Sequence, residues 1–311
     1  AIEPLHHELR RSMPPHVHAL GREKFPARMA LCTSLLSWPD RSQAARYVDG
    51  FPIVSDIESS NVFRHLGLPP LEEPHGDTLL GPQAAADVEA LLRSDPSWDD
   101  VEEIEATADR EEERGHGGPP LTAADLNELY GPGGWVFLTR FMVTQPSGKR
   151  REIDNGKRRH NKGTWTVDSI FTISFEFLAL AASIILQEFL HAAGIDPEAP
   201  WSHIRSVLPD WLSFVCCIDD LKDAYRQVPV CVHHLRYSII AYWSVRAGGW
   251  RFRQLYGHPY GLVAAVLNFC RFPALTSAMA RRFFGVVTAP YFDDNGTTDI
   301  AAAGGVHDPV S

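Results

Sequence analysis

Two apolar runs in this chain end in the same way. WLSFVCCID (211–219) is followed directly by Asp220, and FFGVVTAPYF (283–292) by Asp293 and Asp294. Each run is nearly continuous in large apolar residues, the pattern of a strand buried on both faces. Two such strands belong inside a sheet, and each delivers carboxylates at its exit. One Asp-Asp pair before Asn-Gly is ordinary turn chemistry. Two sites that both follow core strands are harder to dismiss as turns. If the strands are neighbours, Asp220, Asp293 and Asp294 converge. Clustered carboxylates repel unless a cation neutralises them, and hard oxygen ligands select Mg2+ or Mn2+. Two such ions would activate a hydroxyl and stabilise a leaving pyrophosphate in an in-line displacement.

The surrounding chain has a texture of its own. Residues 1–94 form an N-terminal region of unknown role, Pro-rich over 1–81 with weak helical patterns at 17–31 and 42–48, and with a short helix at 82–94. Residues 95–120 are acidic and poor in large apolar side chains, and read as a disordered linker. Thr122 followed by Asp125 is a capping-box variant that starts a helix over Thr122–Tyr130. From Trp135 the chain turns β-rich: WVFLTRFMVTQ, a QPSGK turn and a returning KRREI strand. Residues 168–193 carry a long apolar helix, and Trp201–Leu208 a short one. RYSIIAYWSV and WRFRQLYG form two strands across RAGG, and Leu262–Phe284 is helical. The order implies an α+β fold, an antiparallel sheet with helices on one face. The N-terminal region is irregular or helical.

Charge divides the chain. Residues 1–130 hold 24 acidic and 11 basic side chains, net −13, and residues 131–311 hold 15 and 18, net +3. The positive charge is clustered: Lys149–Lys162 contains seven Lys/Arg in fourteen residues, suited to phosphates. Five cysteines without CxxC spacing indicate neither a disulfide framework nor a zinc site, and point to a reducing, intracellular compartment, cytoplasm or nucleus. His6–His7 and His233–His234 read as solvated or packing residues. No signal peptide is visible, and Phe177–Leu186 is too short to span a bilayer, so no membrane partner is expected.

At this point four segments resemble reverse transcriptases, the RNA-directed DNA polymerases of retroelements. DLKDAYRQVPV resembles motif A, HPYGLVAAVLNFCRFP motif B, YFDD motif C, and PSGKRREIDNGKRRHN the fingers segment. They stand in the family's order over roughly residues 135–297. The resemblance implies a polymerase palm with partial fingers: 121–170 fingers-like, 171–297 a palm-like catalytic core, 298–311 a flexible tail. It implies Asp220, Asp293 and Asp294 as catalytic carboxylates. With the Leu221 carbonyl they would hold two Mg2+ or Mn2+ ions, and Asp219 would be a solvated neighbour. Lys149 and Arg151 would grip the triphosphate. Tyr225 would be a steric gate against the ribose 2′-OH. Tyr260 and Gly261 would form the turn under the incoming nucleotide, and Asn268 would lie on the motif B helix, either on the face that meets the site or on the helix surface. Lys157, Arg158 and Arg159 would bind nucleic acid. The implied partners are dNTPs and a primed RNA or DNA template.

Some features depart from the family. The usual fingers Asp-Asp is Asp154–Asn155, and the chain runs out at Ser311 where a primer grip and thumb would follow. It starts at Ala1 without Met, which reads as a fragment. The alternative is a truncated, catalytically incompetent remnant that at most binds nucleic acid. RNA-directed RNA polymerases share the palm, but commonly carry G-D-D and lack the Tyr225 gate.

Overall fold

A computed structural model describes residues 2–21, 24–67, 76–157, 159–170, 176–208, 213–292 and 294–301. The fold is mixed α and β. The chain divides into two compact units, Ala1–Ile170 with Asp223–Arg271, and Phe171–Lys222 with Phe272–Ser311. Residues 223–271 belong to the first unit.

The first unit opens with four helices, α1 (Glu3–Ser12), α2 (Pro15–Leu20), α3 (Pro26–Leu35) and α4 (Gln43–Asp49). Proline stands in the first turn of the first three, where its missing N–H costs nothing. Short ribbons follow. β1 (Ser55–Asp56) pairs in parallel with β5 (Thr164–Trp165), and β2 (Arg64–His65) antiparallel with β6 (Asp168–Ser169). Residues 168 and 169 are therefore strand rather than the start of the long helix.

The main sheet has the order β4-β3-β8-β9, with β3 at Leu138–Thr144, β4 at Arg150–Asp154, β8 at Ile239–Ser244 and β9 at Gly249–Gln254. The β3–β4 and β8–β9 pairs are antiparallel hairpins across the expected turns, and β3 runs parallel to β8. Alternation along β8 buries both faces. Ile240 and Tyr242 join a core with Ile53, Val136 and Leu255, whereas Ile239 and Ala241 pack with Trp135, Leu126 and Phe252. Leu126 comes from α7 (Ala123–Tyr130), whose N-terminus carries the expected Thr122–Asp125 capping box. α5 (Pro82–Leu92) adds Val88 to that second core.

The acidic stretch 95–120 is not a linker. Its centre is α6 (Val101–Glu113), which buries Ile104 and Ala108 at helical spacing. Its carboxylates find arginines far away in sequence. Glu105 accepts hydrogen bonds from Ser244 Oγ at 2.6 Å, the Val245 amide at 3.0 Å and Arg246 Nε at 3.0 Å, holding the β8–β9 turn. Acidity signals disorder only when the charges stay solvated.

The N-terminal helices are tied to residues 230–234. Phe51 bridges Val230, His16 Nε2 bonds the Val230 carbonyl at 2.7 Å, and the Ile53 amide donates to His234 Nδ1 at 3.1 Å. Residues 1–94 are thus part of the first unit's body. Burial also keeps two histidines neutral. His258 donates from Nδ1 to the Val228 carbonyl and accepts from Asn268, and its pKa is pushed down to about 3 by burial. His160 donates to the Tyr237 carbonyl and is pushed down to about 4 for the same reason.

A depressed histidine pKa contributes stability fully above the unfolded value near 6.5, and that stability is lost as pH falls towards the folded value. Chemical denaturation is expected to show unfolding free energy dropping between about pH 6.5 and about pH 4.5, by up to ~1.4 kcal/mol per pH unit for each histidine. A flat profile over that window would contradict the neutral, buried assignment.

The second unit contains α8 (Glu176–Ala192), α9 (Trp201–Val207), β7 (Ser213–Asp220), β10 (Val287–Tyr291) and β11 (Asp294–Ala301). α8 and α9 pack through Leu190, Ile204 and Leu208. The strands form an antiparallel sheet in the order β10-β11-β7. β11 extends into the expected tail as far as Ala301, and 302–311 lie outside the described residues. α10 (Val263–Phe284) begins in the first unit and ends in the second. Among the described residues it is the one helix long and apolar enough to cross a membrane, with 56% of the relevant window buried inside the protein.

Candidate active site

In the second unit, register decides the carboxylate geometry. β7 and β11 run antiparallel with Asp220 directly opposite Asp294 and Asp219 opposite Asn295. Directly opposite residues project from the same face. The other face is marked by Asn295, whose Oδ1 accepts from Thr288 Oγ1 at 2.9 Å and Ser277 Oγ of α10 at 3.3 Å. Asp220 and Asp294 therefore share the face away from these partners, and Asp220 is exposed. Asp219 belongs to the Asn295 side, apart from the pair, and is exposed.

Tyr291 pairs with Asp294 at the end of the β10–β11 ladder. Phe292 has φ +53°, the left-handed conformation favoured in tight turns. Asp293 itself lies outside the described residues, and so does Arg158. Among the described residues no group of three His, Cys, Asp or Glu side chains is placed to hold a metal. The described part of the expected trio is a pair of opposed carboxylates, whose like charges favour a bound cation. An all-oxygen donor set fits Mg2+ or Mn2+.

The expected nucleotide-binding residues lie in the first unit. Lys149 closes the β3–β4 turn, its carbonyl accepting from the Gln145 amide at 2.8 Å, and its side chain is exposed. Arg151 is also exposed and, by alternation, shares a face of β4 with Ile153. Neither cation makes an ion pair among the described residues. Ile153 leads to the Tyr260–Gly261 turn. The Asp154 amide donates to the Tyr260 carbonyl at 3.1 Å, and the Tyr260 amide donates to Asp154 Oδ2 at 3.0 Å. Gly261 has φ +92°, and a Cβ there would sit 2.5 Å from the Asp154 carbonyl oxygen and 3.6 Å from Ile153 Cγ2. Only glycine allows this approach. Tyr225 is half-buried, 5.7 Å from the Tyr260 ring and edge-on to Phe269 at 5.2 Å. So β4, the Tyr260–Gly261 turn and Tyr225 are joined in one body. Asn268 is fully buried, with Nδ2 on the Pro52 carbonyl and His258, and so presents no helix surface.

What organises this body was not legible beforehand. Arg226, next to Tyr225, is buried, and its ring neighbour is Tyr260 at 4.2 Å. It donates to Glu111 at 2.6 Å, Asp154 at 2.8 Å and the His258 carbonyl at 2.6 Å. Arg140 of β3 donates to the same two carboxylates, to Glu111 at 2.8 and 3.2 Å and to Asp154 at 2.8 Å. Two guanidiniums and two carboxylates thus alternate in a closed, dry ring. Burial alone would raise the pKa of Asp154 and Glu111, but the two arginines bring both below the ordinary carboxylate range. The only sequence signal for Glu111 was its spacing after Ile104 and Ala108, which puts all three on one helical face.

The basic run is partly neutralised. Arg150 pairs with Asp100 at 2.5 Å and Glu103 at 3.2 Å, and Arg159 pairs with Asp87 of α5. Lys157 stays exposed. The acidic first part of the chain therefore folds its charge onto the basic second part. No protein-family model matches the chain, and no curated protein matches it significantly.

Proposed function

We propose that this chain is the core of an RNA-directed DNA polymerase, transferring deoxynucleotides onto a primer 3′-hydroxyl. The observation that carries the reading is the register of β7 and β11, which sets Asp220 opposite Asp294. Two Mg2+ or Mn2+ ions held by Asp220, the Leu221 carbonyl, Asp293 and Asp294 would supply Lewis-acid activation and neutralise developing charge. In the transfer, the 3′-oxygen bonds the α-phosphorus, the bond to the β-phosphate bridge breaks, pyrophosphate leaves, and the hydroxyl proton passes to solvent.

Lys149 and Arg151 contribute the charge that holds the triphosphate, Arg with two-pronged geometry. Gly261 lets the backbone turn approach a nucleotide without a side chain. Tyr225, braced between Tyr260 and Phe269, presents a ring fixed enough to reject a ribose 2′-hydroxyl. Motif A spans the division between the units. Asp220 and Leu221 belong to one and Tyr225 to the other.

The test is primer extension on poly(rA)·oligo(dT) with Mg2+ or Mn2+. Metal-dependent incorporation of dTTP is the expected result, and none from folded protein would favour a decayed polymerase that only binds nucleic acid. Replacing Tyr225 by valine is expected to admit ribonucleotides while dTTP use is largely retained. Unchanged discrimination between rUTP and dTTP would remove Tyr225 from the gate role.

A further inference from the structure

The first unit holds a cleft of about 400 Å3 to which the polymerase reading gives no role beyond the nucleic-acid contact expected of Arg159. Its volume falls within the range of small-ligand sites. One wall is α5, with Asp87 and Leu91. The other is formed by Phe137, Thr139, Asn155, Arg159 and the buried ring of His160.

The lining mixes three kinds of group. Phe137 supplies an aromatic ring, held by edge contact with Phe252 at 6.0 Å. The Asn155 side chain makes no hydrogen bond among the described residues, while its amide is fixed to the Thr139 carbonyl at 2.9 Å. It therefore carries a free donor and a free acceptor, the set that reads a base edge. Arg159 supplies a guanidinium, and in the free protein its partner is the Asp87 carboxylate. Both residues of that pair are partly open, at 25% and 34% side-chain exposure, so the pair can exchange with a solvent anion. His160 adds no charge, since burial keeps it neutral against the opposing effect of its bond to the Tyr237 carbonyl. Exposed Lys157 lies two residues before Arg159.

An aromatic ring, an amide and a cation beside a basic surface run are what an unpaired nucleotide needs: stacking, edge recognition and a phosphate contact. We propose that this cleft takes one unpaired nucleotide of a single-stranded nucleic acid, with Phe137 stacking on the base, Asn155 on its edge and Arg159 on a phosphate. Asp87 is the internal anion that the phosphate displaces. The identity of the ligand rests on the polymerase reading, in which a template strand must be present. The cleft itself stands on its lining.

The experiment is fluorescence anisotropy of the full chain with labelled oligo(dT) over a salt series, with Arg159→Ala, Phe137→Leu and Asp87→Asn. Arg159→Ala is expected to weaken binding and reduce the slope of log affinity against log salt by about 0.7. Phe137→Leu keeps an apolar side chain but removes the stacking ring, and is expected to cost about fivefold or more. Asp87→Asn frees Arg159 and is expected to tighten binding. Thermal melts control for folding. If Phe137→Leu unfolds, Asp87→Asn at its partly open site still decides. Three variants that bind as the wild type does would overturn the proposal. So would competition by free dTMP as effective as by the oligonucleotide, which would make this a free-nucleotide site. Primer extension is scored separately. Loss of incorporation with the three binding effects intact defeats the polymerase reading and leaves the cleft standing.

Discussion

Replacing Glu111 by alanine is expected to lower the unfolding free energy by about 3–5 kcal/mol, the cost of leaving buried charge without its partner. Glu111 accepts from both Arg140 and Arg226, whose side chains are at most 2% exposed. Removing it leaves two buried guanidiniums to share Asp154. Glu111→Gln keeps an acceptor oxygen but loses the charge, and should fall between alanine and wild type. Glu113→Ala, at an exposed position of the same helix, should change stability by no more than about 0.5 kcal/mol. Denaturant titration of the three variants makes the comparison. Equal effects at 111 and 113 would mean that the charge ring does not hold the unit together. The loss should also reach the Tyr260 turn, because Arg226 is bonded to the His258 carbonyl and lies over the Tyr260 ring. Faster amide exchange at Tyr260 in Glu111→Gln would report it.

The second large effect concerns Asp220. Asp220→Asn should reduce metal-dependent incorporation roughly a thousandfold or more, the scale of several kcal/mol of lost transition-state stabilisation. The same substitution separates a metal ligand from a structural residue through stability. Without divalent metal, the wild type carries two like charges directly opposite each other on β7 and β11, a destabilising arrangement of about 0.2–1 kcal/mol. Asn at 220 relieves it, so the variant should melt no lower than wild type in chelator. Adding Mg2+ should raise the wild-type melting temperature by mass action and leave the variant nearly unmoved. Incorporation retained in Asp220→Asn, or an equal response of both proteins to Mg2+, would sink the metal assignment.

Local chemistry was legible in the chain. The Thr122 capping box, the QPSGK turn and the RAGG hairpin each follow from neighbours a few residues apart, whereas the expected burial of 211–219 on both faces is not found, because β7 is an edge strand with Cys216, Cys217 and Ile218 exposed. Period and turn residues act at that range, so a single sequence displays them. The position of carboxylates at strand exits was legible for the same reason. Their opposition was not, since register depends on which strands pair, and Asp220 and Asp294 meet only through β7 and β11.

The largest misreading was the acidic stretch 95–120. Its composition matches a solvated linker, yet Glu111 bonds Arg140 29 positions away and Arg226 115 positions away. Nothing in the chain around Glu111 marks those partners. The same holds for Arg159, basic in sequence and paired with Asp87 in the fold. The sequence by itself determined the strands and turns of the main sheet, the capped helix α7 and the residue types of the candidate site. The tertiary structure alone decided which charges are free to meet a ligand and which are held by one another. A charge's partner is chosen by chain folding over long separations, where pairing is set by packing rather than by local pattern.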